Sequence, residues 1–252
     1  MLGHTHMGLG AVGAVLATPL ILHEPWVPMR QFLGGHWGAM PHIVIAQAIL
    51  VVATVLGATL PDLDQRDSLA ARKVEFLGGI PVFAMLAALV IVLHQTTSLV
   101  AWGAALVFSI LFSTERNFTR WIGLALMGAG LLYLGWDKRI PLAAAILLAL
   151  WIVGAMFTAH RTFTHSLVGL ALFTVAVHLM LPELNAVHLD LAAIGLPLGY
   201  ALHMAEDAIA GGVPLLWPWG QRQGIHWVKT GGGWDILIGN LSILVFAALA
   251  IF

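Results

Sequence analysis

Side chains that can bind a metal ion or carry a proton are concentrated in four short segments of an otherwise apolar chain. The first segment opens the chain, and the others read LPDLD, HRTFTHS and GYALHMAED. Their ionisable residues are His4, His6, Asp62, Asp64, His160, Arg161, His165, His203, Glu206 and Asp207. Ionisable groups are costly in apolar surroundings. Their concentration in four places therefore indicates a shared function.

The residue types favour a hard or borderline divalent metal ion. Imidazole and carboxylate together suit zinc, manganese or iron, and a chain without cysteine offers no thiolate ligand. His203 and Asp207 lie four residues apart and so share one face of a helix. Asp62 and Asp64 flank a single residue and can point into one site. These ligands exceed what one tetrahedral ion needs, so we expect two or more ions that together clamp a phosphoryl group.

Each motif also has a structural explanation. An Asp that follows Pro often caps a turn, and a basic residue such as Arg161 can anchor a protein at a membrane surface. His94, His178 and His188 are isolated from other ligand-type residues, and we expect them to be interfacial. The conjunction of four segments, rather than any one motif, favours a shared metal site.

The elements that carry these segments have the composition of membrane helices. Hydrophobic residues make up 60% of the 252 positions and charged residues only 9%, whereas soluble domains carry roughly 25% charged residues. The apolar runs approach the ~20 residues that cross a bilayer core and lack the alternation of barrel strands. We predict an all-α, polytopic bundle of about nine transmembrane helices in a single domain, 1–252. The predicted spans are 7–23, 42–60, 76–94, 98–113, 121–136, 141–158, 166–181, 190–210 and 235–252.

The nine-span topology places all four segments at the same membrane face. Basic residues favour that face as cytoplasmic, because it receives Arg66, Arg72, Lys73, Arg116, Arg120, Arg161, Arg222 and Lys229, against Arg30, Lys138 and Arg139 opposite. We therefore expect a multi-pass protein of the inner, cytoplasmic membrane with its site on the cytoplasmic side. A net charge of −1 gives no reason to expect a nucleic-acid partner.

A stretch rich in glycine and tryptophan follows the fourth segment. It begins GGVPLLWPWG and continues to residue 234 through Arg222, His226 and Lys229. An aromatic belt and a lip that contacts lipid explain this stretch equally well. The stretch could also fold over the mouth of the site as a lid. Asp235 follows as a helix N-cap or as a further member of the site, and we favour the cap.

The order of the motifs resembles that of the YdjM-type membrane-bound metal-dependent hydrolases, over residues 4 to about 235. The matching features are His6, LPDLD, HRTFTHS, GYALHMAED and GGVPLLWP, in that order. That family is regarded as distantly similar to zinc-dependent phospholipase C and the single-strand nucleases, which cleave phosphoesters with a metal cluster. The resemblance implies metal ligands at His6, Asp62, Asp64, His160, His165, His203 and Asp207, with Arg161 and Ser166 beside them.

These observations together predict a membrane-embedded metal-dependent hydrolase of a phosphoester. A lipid or another amphiphilic, phosphorylated molecule is the expected substrate, and zinc is the expected metal, with manganese second. Arg161 would stabilise charge on the phosphoryl group, and either Asp64 or Glu206 would accept a proton. Two alternatives stay open. A metal or proton transporter would use the same residues, and a membrane scaffold would use the metal structurally.

Overall fold

The computed structural model describes residues 1–34, 40–64, 84, 87, 90–91, 96–103, 105–106 and 116–252. This part of the chain is helical, apart from one isolated antiparallel bridge between Val213 and Gln223. The α-helices are α1 (Gly3–Leu22), α2 (Met29–Leu33), α3 (Met40–Gly57), α4 (Arg116–Trp136), α5 (Leu142–Phe157), α6 (Leu167–Leu179), α7 (Leu181–Ala186), α8 (Ala192–Ala210) and α9 (Gly233–Ile251). Short 3-10 helices cover Pro61–Asp64 and Phe163–His165. The prediction of an all-α fold is confirmed for the described residues.

Three helical stretches in the described part are long and apolar enough to cross a membrane, namely Gly3–Leu22, Pro41–Asp64 and Gly233–Ile251. Helices α5 and α6 are apolar but shorter. The predicted spans 76–94 and 98–113 fall largely outside the described residues, as do Arg66, Arg72, Lys73 and His94. The count of nine spans therefore stays a prediction.

Helix α1 begins at Gly3, before the predicted start at residue 7. The cause is a tertiary contact, because the Leu2 amide and the Thr5 hydroxyl donate to the Asp235 carboxylate at 3.0 and 2.8 Å. Asp235 also accepts from the Gly231 amide at 2.8 Å, but Gly232 is the N-cap residue of α9. Asp235 thus fastens the first turns of α1 and α9 together, instead of being the N-cap that we favoured.

The chain divides into two compact units, and each is described by itself. The first comprises Met1–Pro61 and Ala159–Phe252, and the second comprises Asp62–Thr158. In the second unit, α4 packs against α5, with the rings of Trp121 and Phe157 edge to face at 4.7 Å. The Arg120 guanidinium donates to the Leu63 and Asp64 carbonyls, each at 3.1 Å, and so holds the turn that contains the LPDLD aspartates.

Helices of alternating direction build the first unit. The Asp235 contacts join the starts of α1 and α9, and the Trp26 indole donates to the Leu249 carbonyl at 2.7 Å near their other ends. These two helices are therefore parallel. Helices α3 and α8 run opposite to α1, and α6 runs opposite to α8. The starts of α1, α6 and α9 consequently meet the ends of α3 and α8 at one end of the bundle.

Small residues allow α3 and α8 to approach closely. A Cβ at Gly199 would overlap the Thr54 carbonyl, and a Cβ at Gly57 would overlap the Leu196 carbonyl. Close contacts of this kind are common between membrane helices, where packing replaces hydrophobic burial as the driving force. One turn beyond Gly199, this approach brings the Ala58 carbonyl to the ring of His203, at 2.7 Å from Nδ1.

Candidate metal centre

The Asp207 carboxylate, on the last turn of α8, is surrounded by three buried histidines of the first unit. His165 Nε2 lies 3.4 Å from Asp207 Oδ2, and His203 Nε2 lies 3.7 Å from the same oxygen. His6 Nε2 lies 3.6 Å from Oδ1. The His6 ring is also stacked on the His203 ring, with centroids 3.7 Å apart. Three imidazoles from three different elements therefore present Nε2 to one carboxylate.

The other ring nitrogen of each histidine is engaged by the protein. His203 Nδ1 donates to the Ala58 carbonyl at 2.7 Å, and His165 Nδ1 lies 3.0 Å from the Thr164 hydroxyl. A proton held on Nδ1 leaves the lone pair of the ring on Nε2. Hydrogen bonds of this kind orient histidines that bind metals and set their tautomer.

His6 is held in the same way by Glu206. Its Nδ1 lies 2.5 Å from Glu206 Oε2, and both side chains are buried. The other ring nitrogen, Nε2, lies 3.1 Å from the Met1 carbonyl and 3.6 Å from Asp207 Oδ1. Glu206 Oε1 is buried as well, with no hydrogen-bond partner in the described part of the chain.

The donor atoms fit a divalent ion. His165 Nε2 and His203 Nε2 are 3.2 Å apart, which closes a triangle with the 3.4 and 3.7 Å distances to Asp207 Oδ2. Zinc bonds of about 2.0–2.1 Å in tetrahedral geometry separate neighbouring ligands by about 3.3–3.4 Å. Asp207 Oδ2 is buried without a hydrogen-bond partner among the described residues. Two facing imidazole nitrogens and an unsatisfied carboxylate oxygen are the donors that a cation requires.

Positive groups already contact the second oxygen of Asp207. Arg161 Nη2 donates to Oδ1 at 2.8 Å, and the Met1 ammonium also forms an ion pair with this oxygen. Since the Asp207 side chain is fully buried, an isolated negative charge there would be costly. The carboxylate thus attracts cations on the Oδ1 side and leaves Oδ2 to the histidines.

Local backbone geometry positions Arg161 beside Asp207. Its φ of 58° is in the left-handed region, which is uncommon for a residue with a side chain. The guanidinium rests against Gly211, where a Cβ would overlap Nη1. Strained backbone of this kind is often found at functional sites. A glycine at 211 leaves room for the guanidinium in this position.

The HRTFTHS motif forms a tight turn that orients His165. Ser166 is the N-cap of α6, and its Oγ accepts from the Gly169 amide at 3.1 Å. The Tyr200 hydroxyl on α8 donates to the Thr164 carbonyl at 2.5 Å. The turn is thereby attached both to the helix that follows it and to the helix that carries His203 and Asp207.

The model of the YdjM inner membrane protein family matches residues 1–251. The chain belongs to this family. Comparisons with curated proteins and with solved structures found no match. YdjM membership agrees with the apolar helices, and the resemblance that the motifs indicated is confirmed. The buried histidines and aspartate show that this YdjM protein has a site that can hold a metal ion.

Other residues predicted for the YdjM site take different positions. The His160 ring lies 5.3 Å from the His165 ring, next to the donor triangle. Asp62 and Asp64 are buried in the 3-10 turn of the second unit, and their role as ligands stays a prediction. His4 faces Gly239 of α9 rather than Asp207.

Several contributors to the YdjM centre were not singled out from the sequence. The Ala58 carbonyl and the Thr164 hydroxyl orient two of the histidines, and Gly211 makes room for Arg161. One signal was present, since Gly195, Gly199, His203 and Asp207 recur every four residues along one face of α8. This spacing marks the face that packs on α3 and continues into the metal centre.

Proposed function

We propose that this protein is a membrane-embedded metal-dependent hydrolase that cleaves a phosphoester, with a lipid or lipid-linked molecule as its substrate. The observation that carries the proposal is the convergence of three Nε2 atoms on the Asp207 carboxylate, with the Arg161 guanidinium on the same carboxylate. A metal centre beside an arginine guanidinium suits phosphoryl groups, because the guanidinium can bind two phosphoryl oxygens at once. The proposed chemistry is the one that the motif resemblance implies, namely that of zinc-dependent phospholipase C.

In the proposed centre, His165, His203 and Asp207 Oδ2 hold a divalent cation, with zinc as the first candidate. A bound ion of this type polarises a phosphoryl oxygen and activates water. His6 is proposed as a ligand of a second ion on the basis of the sequence. Asp62, Asp64 and His160 are proposed as further ligands on the basis of the sequence.

Glu206 has two separable roles in this proposal. Its Oε2 holds the His6 ring through Nδ1, and its Oε1 has no partner among the described residues. The second oxygen is therefore suited to accept a proton during hydrolysis. Asp64 remains the alternative proton acceptor.

The position of the cluster favours hydrolysis over transport. A transporter typically holds its ions near the bilayer midplane, where both sides can be reached in turn. The four residues of the cluster instead lie at one end of the first unit, namely His6, His165, His203 and Asp207. A site near the headgroup level suits an amphiphilic substrate.

The direct test uses the whole chain, purified in detergent. We expect bound zinc or manganese by mass spectrometry of the metals. We also expect hydrolysis of bis(p-nitrophenyl) phosphate or of phospholipid in mixed micelles, abolished by a chelator and restored by the metal. Metal flux into proteoliposomes, with no hydrolysis of any phosphoester offered, would instead support the transporter.

We also propose that the protein is multi-pass, with about nine spans and the metal centre on the cytoplasmic side of the inner membrane. Gln221 and Ala186 are exposed at opposite ends of the first unit, and the chain contains no other cysteine to interfere. In inside-out vesicles, an impermeant maleimide should label Gln221→Cys, and in intact spheroplasts it should label Ala186→Cys. Labelling of both variants from one side would contradict the topology.

A further inference from the structure

The segment that follows α8 is a rigidly attached loop, and we name residues 211–234 the tryptophan loop. Val213 and Gln223 exchange backbone hydrogen bonds at 2.9 and 2.8 Å, so the loop folds back on itself. Its returning arm is bonded to the end of α8, with the Ile225 amide donating to the Ala208 carbonyl at 2.9 Å. The Trp227 amide donates to Ile209 in the same way, also at 2.9 Å. These bonds attach the loop to the end of α8, and its role as a lid stays a prediction.

The tryptophans of this loop are mostly exposed, which is unusual for such large apolar side chains. Trp219, Trp227 and Trp234 have 89%, 78% and 70% of their surface exposed. Tryptophan is enriched where bilayer headgroups meet the hydrocarbon core, because its ring is apolar and its N–H is polar. The exposed rings therefore fit a lipid surface better than bulk water.

The charge of the loop has one sign. Arg222, His226 and Lys229 are exposed, and no acidic residue occurs between positions 208 and 234. Basic residues next to a membrane are attracted by anionic headgroups. The loop thus combines interfacial aromatic rings with charge complementary to anionic lipid.

The loop is also in the right place to meet the headgroup layer. It ends where α9, a helix long enough to span the membrane, begins at Gly233. It also contacts the HRTFTHS turn, because Trp217 packs edge to face on Phe163, with ring centroids 5.5 Å apart. The Leu167 amide, at the start of α6, donates to the Leu215 carbonyl at 3.0 Å.

We propose that the tryptophan loop is a binding surface for anionic phospholipid headgroups, with its tryptophan rings seated at the membrane interface. Arg222 and Lys229 give the preference for anionic over zwitterionic lipid. Trp219 and Trp227 set how deeply the loop is inserted in the membrane interface. This proposal does not depend on hydrolysis, because the surface is independent of the chemistry at Asp207.

The lipid preference is tested with the whole protein in vesicles of phosphatidylcholine mixed with phosphatidylglycerol. Spin-labelled phosphatidylglycerol should associate with the wild-type protein in preference to spin-labelled phosphatidylcholine. The double variant Arg222→Gln/Lys229→Gln should lose that preference by about fivefold per charge removed. Lys138→Gln/Arg139→Gln is the matched control, because it removes the same charge from another exposed loop and should leave the preference unchanged.

The depth of the loop in the membrane is tested separately, with nitroxide labels on Trp219→Cys and Trp227→Cys in the same vesicles. We expect both labels to be protected from a water-soluble nickel chelate and accessible to oxygen. An equal lipid preference in both double variants would overturn the proposal. Labels fully open to the chelate would overturn it as well, because they are expected of a surface for a soluble partner. Displacement of phosphatidylglycerol by millimolar inorganic phosphate would identify a phosphate site and would also contradict a lipid surface.

Discussion

Replacing His203 with alanine is expected to abolish metal binding, whereas replacing His178 or His188 is expected to leave it unchanged. The reason is geometric. His203 Nε2 lies 3.2 Å from His165 Nε2 and 3.7 Å from Asp207 Oδ2, so its removal leaves two donors of the triangle. His178 and His188 are exposed at the opposite end of the bundle. Metal content per chain, measured on detergent-purified protein, reports the result.

The Asp207 variants separate loss of a ligand from loss of the fold. Asp207→Ala removes the buried carboxylate that pairs with Arg161, and breaking a buried ion pair in this way typically costs about 3–5 kcal/mol. Asp207→Asn keeps the shape of the side chain and should lose the metal while the protein stays folded and monodisperse. His6→Ala should lower the stoichiometry from two ions to one, because His6 is the proposed ligand of the second ion. Equal metal content in all of these variants and in wild type would place the metal site elsewhere.

Replacing Arg161 with lysine is expected to retain the metal and the fold while lowering phosphoester turnover on the order of 10²-fold, about 2.7 kcal/mol of barrier. A lysine ammonium can keep the ion pair with Asp207. It cannot reproduce the bidentate contact of a guanidinium with two phosphoryl oxygens. The measurement pairs the turnover of bis(p-nitrophenyl) phosphate or of phospholipid in mixed micelles with metal analysis of the same sample.

A second variant tests the position of Arg161 without changing any charge. Gly211→Ala places a Cβ where Arg161 Nη1 now lies, so the guanidinium has to move. The backbone at Gly211 has a φ of −111°, which alanine tolerates without strain. We expect reduced turnover with unchanged metal content. Gly130→Ala is the control, because nothing lies within 4 Å of the added Cβ. If Arg161 only anchors the protein to the membrane, Arg161→Lys and Gly211→Ala will both turn over like wild type.

Composition and run length were sufficient to predict helices. Apolar runs such as those of α3 and α9 can satisfy their backbone hydrogen bonds in a bilayer only as helices or closed barrels, and they lack the alternation of barrel strands. The start of α1 was not predictable, because it depends on Asp235, which is distant in sequence. The Leu2 amide and the Thr5 hydroxyl bind that carboxylate and extend the helix to Gly3.

The sequence by itself also determined which residues can meet. His203 and Asp207 share a helix face whatever the fold. The gathering of all four segments at one membrane face stays a prediction of the nine-span topology. The order of the motifs was enough to indicate the YdjM family. These properties follow from periodicity and chain direction, which are local and can be read without coordinates.

Only the tertiary structure decided how the residues are used. It assigned Glu206 to the His6 ring, the Ala58 carbonyl to the His203 ring and Gly211 to the guanidinium of Arg161. It also turned Asp235 from an expected cap into a link between two helices. Contacts of this kind join residues that are far apart in the chain, and backbone carbonyls leave no mark in the pattern of side chains. Their partners depend on how closely the helices pack, and at α3 and α8 that distance is set by glycines.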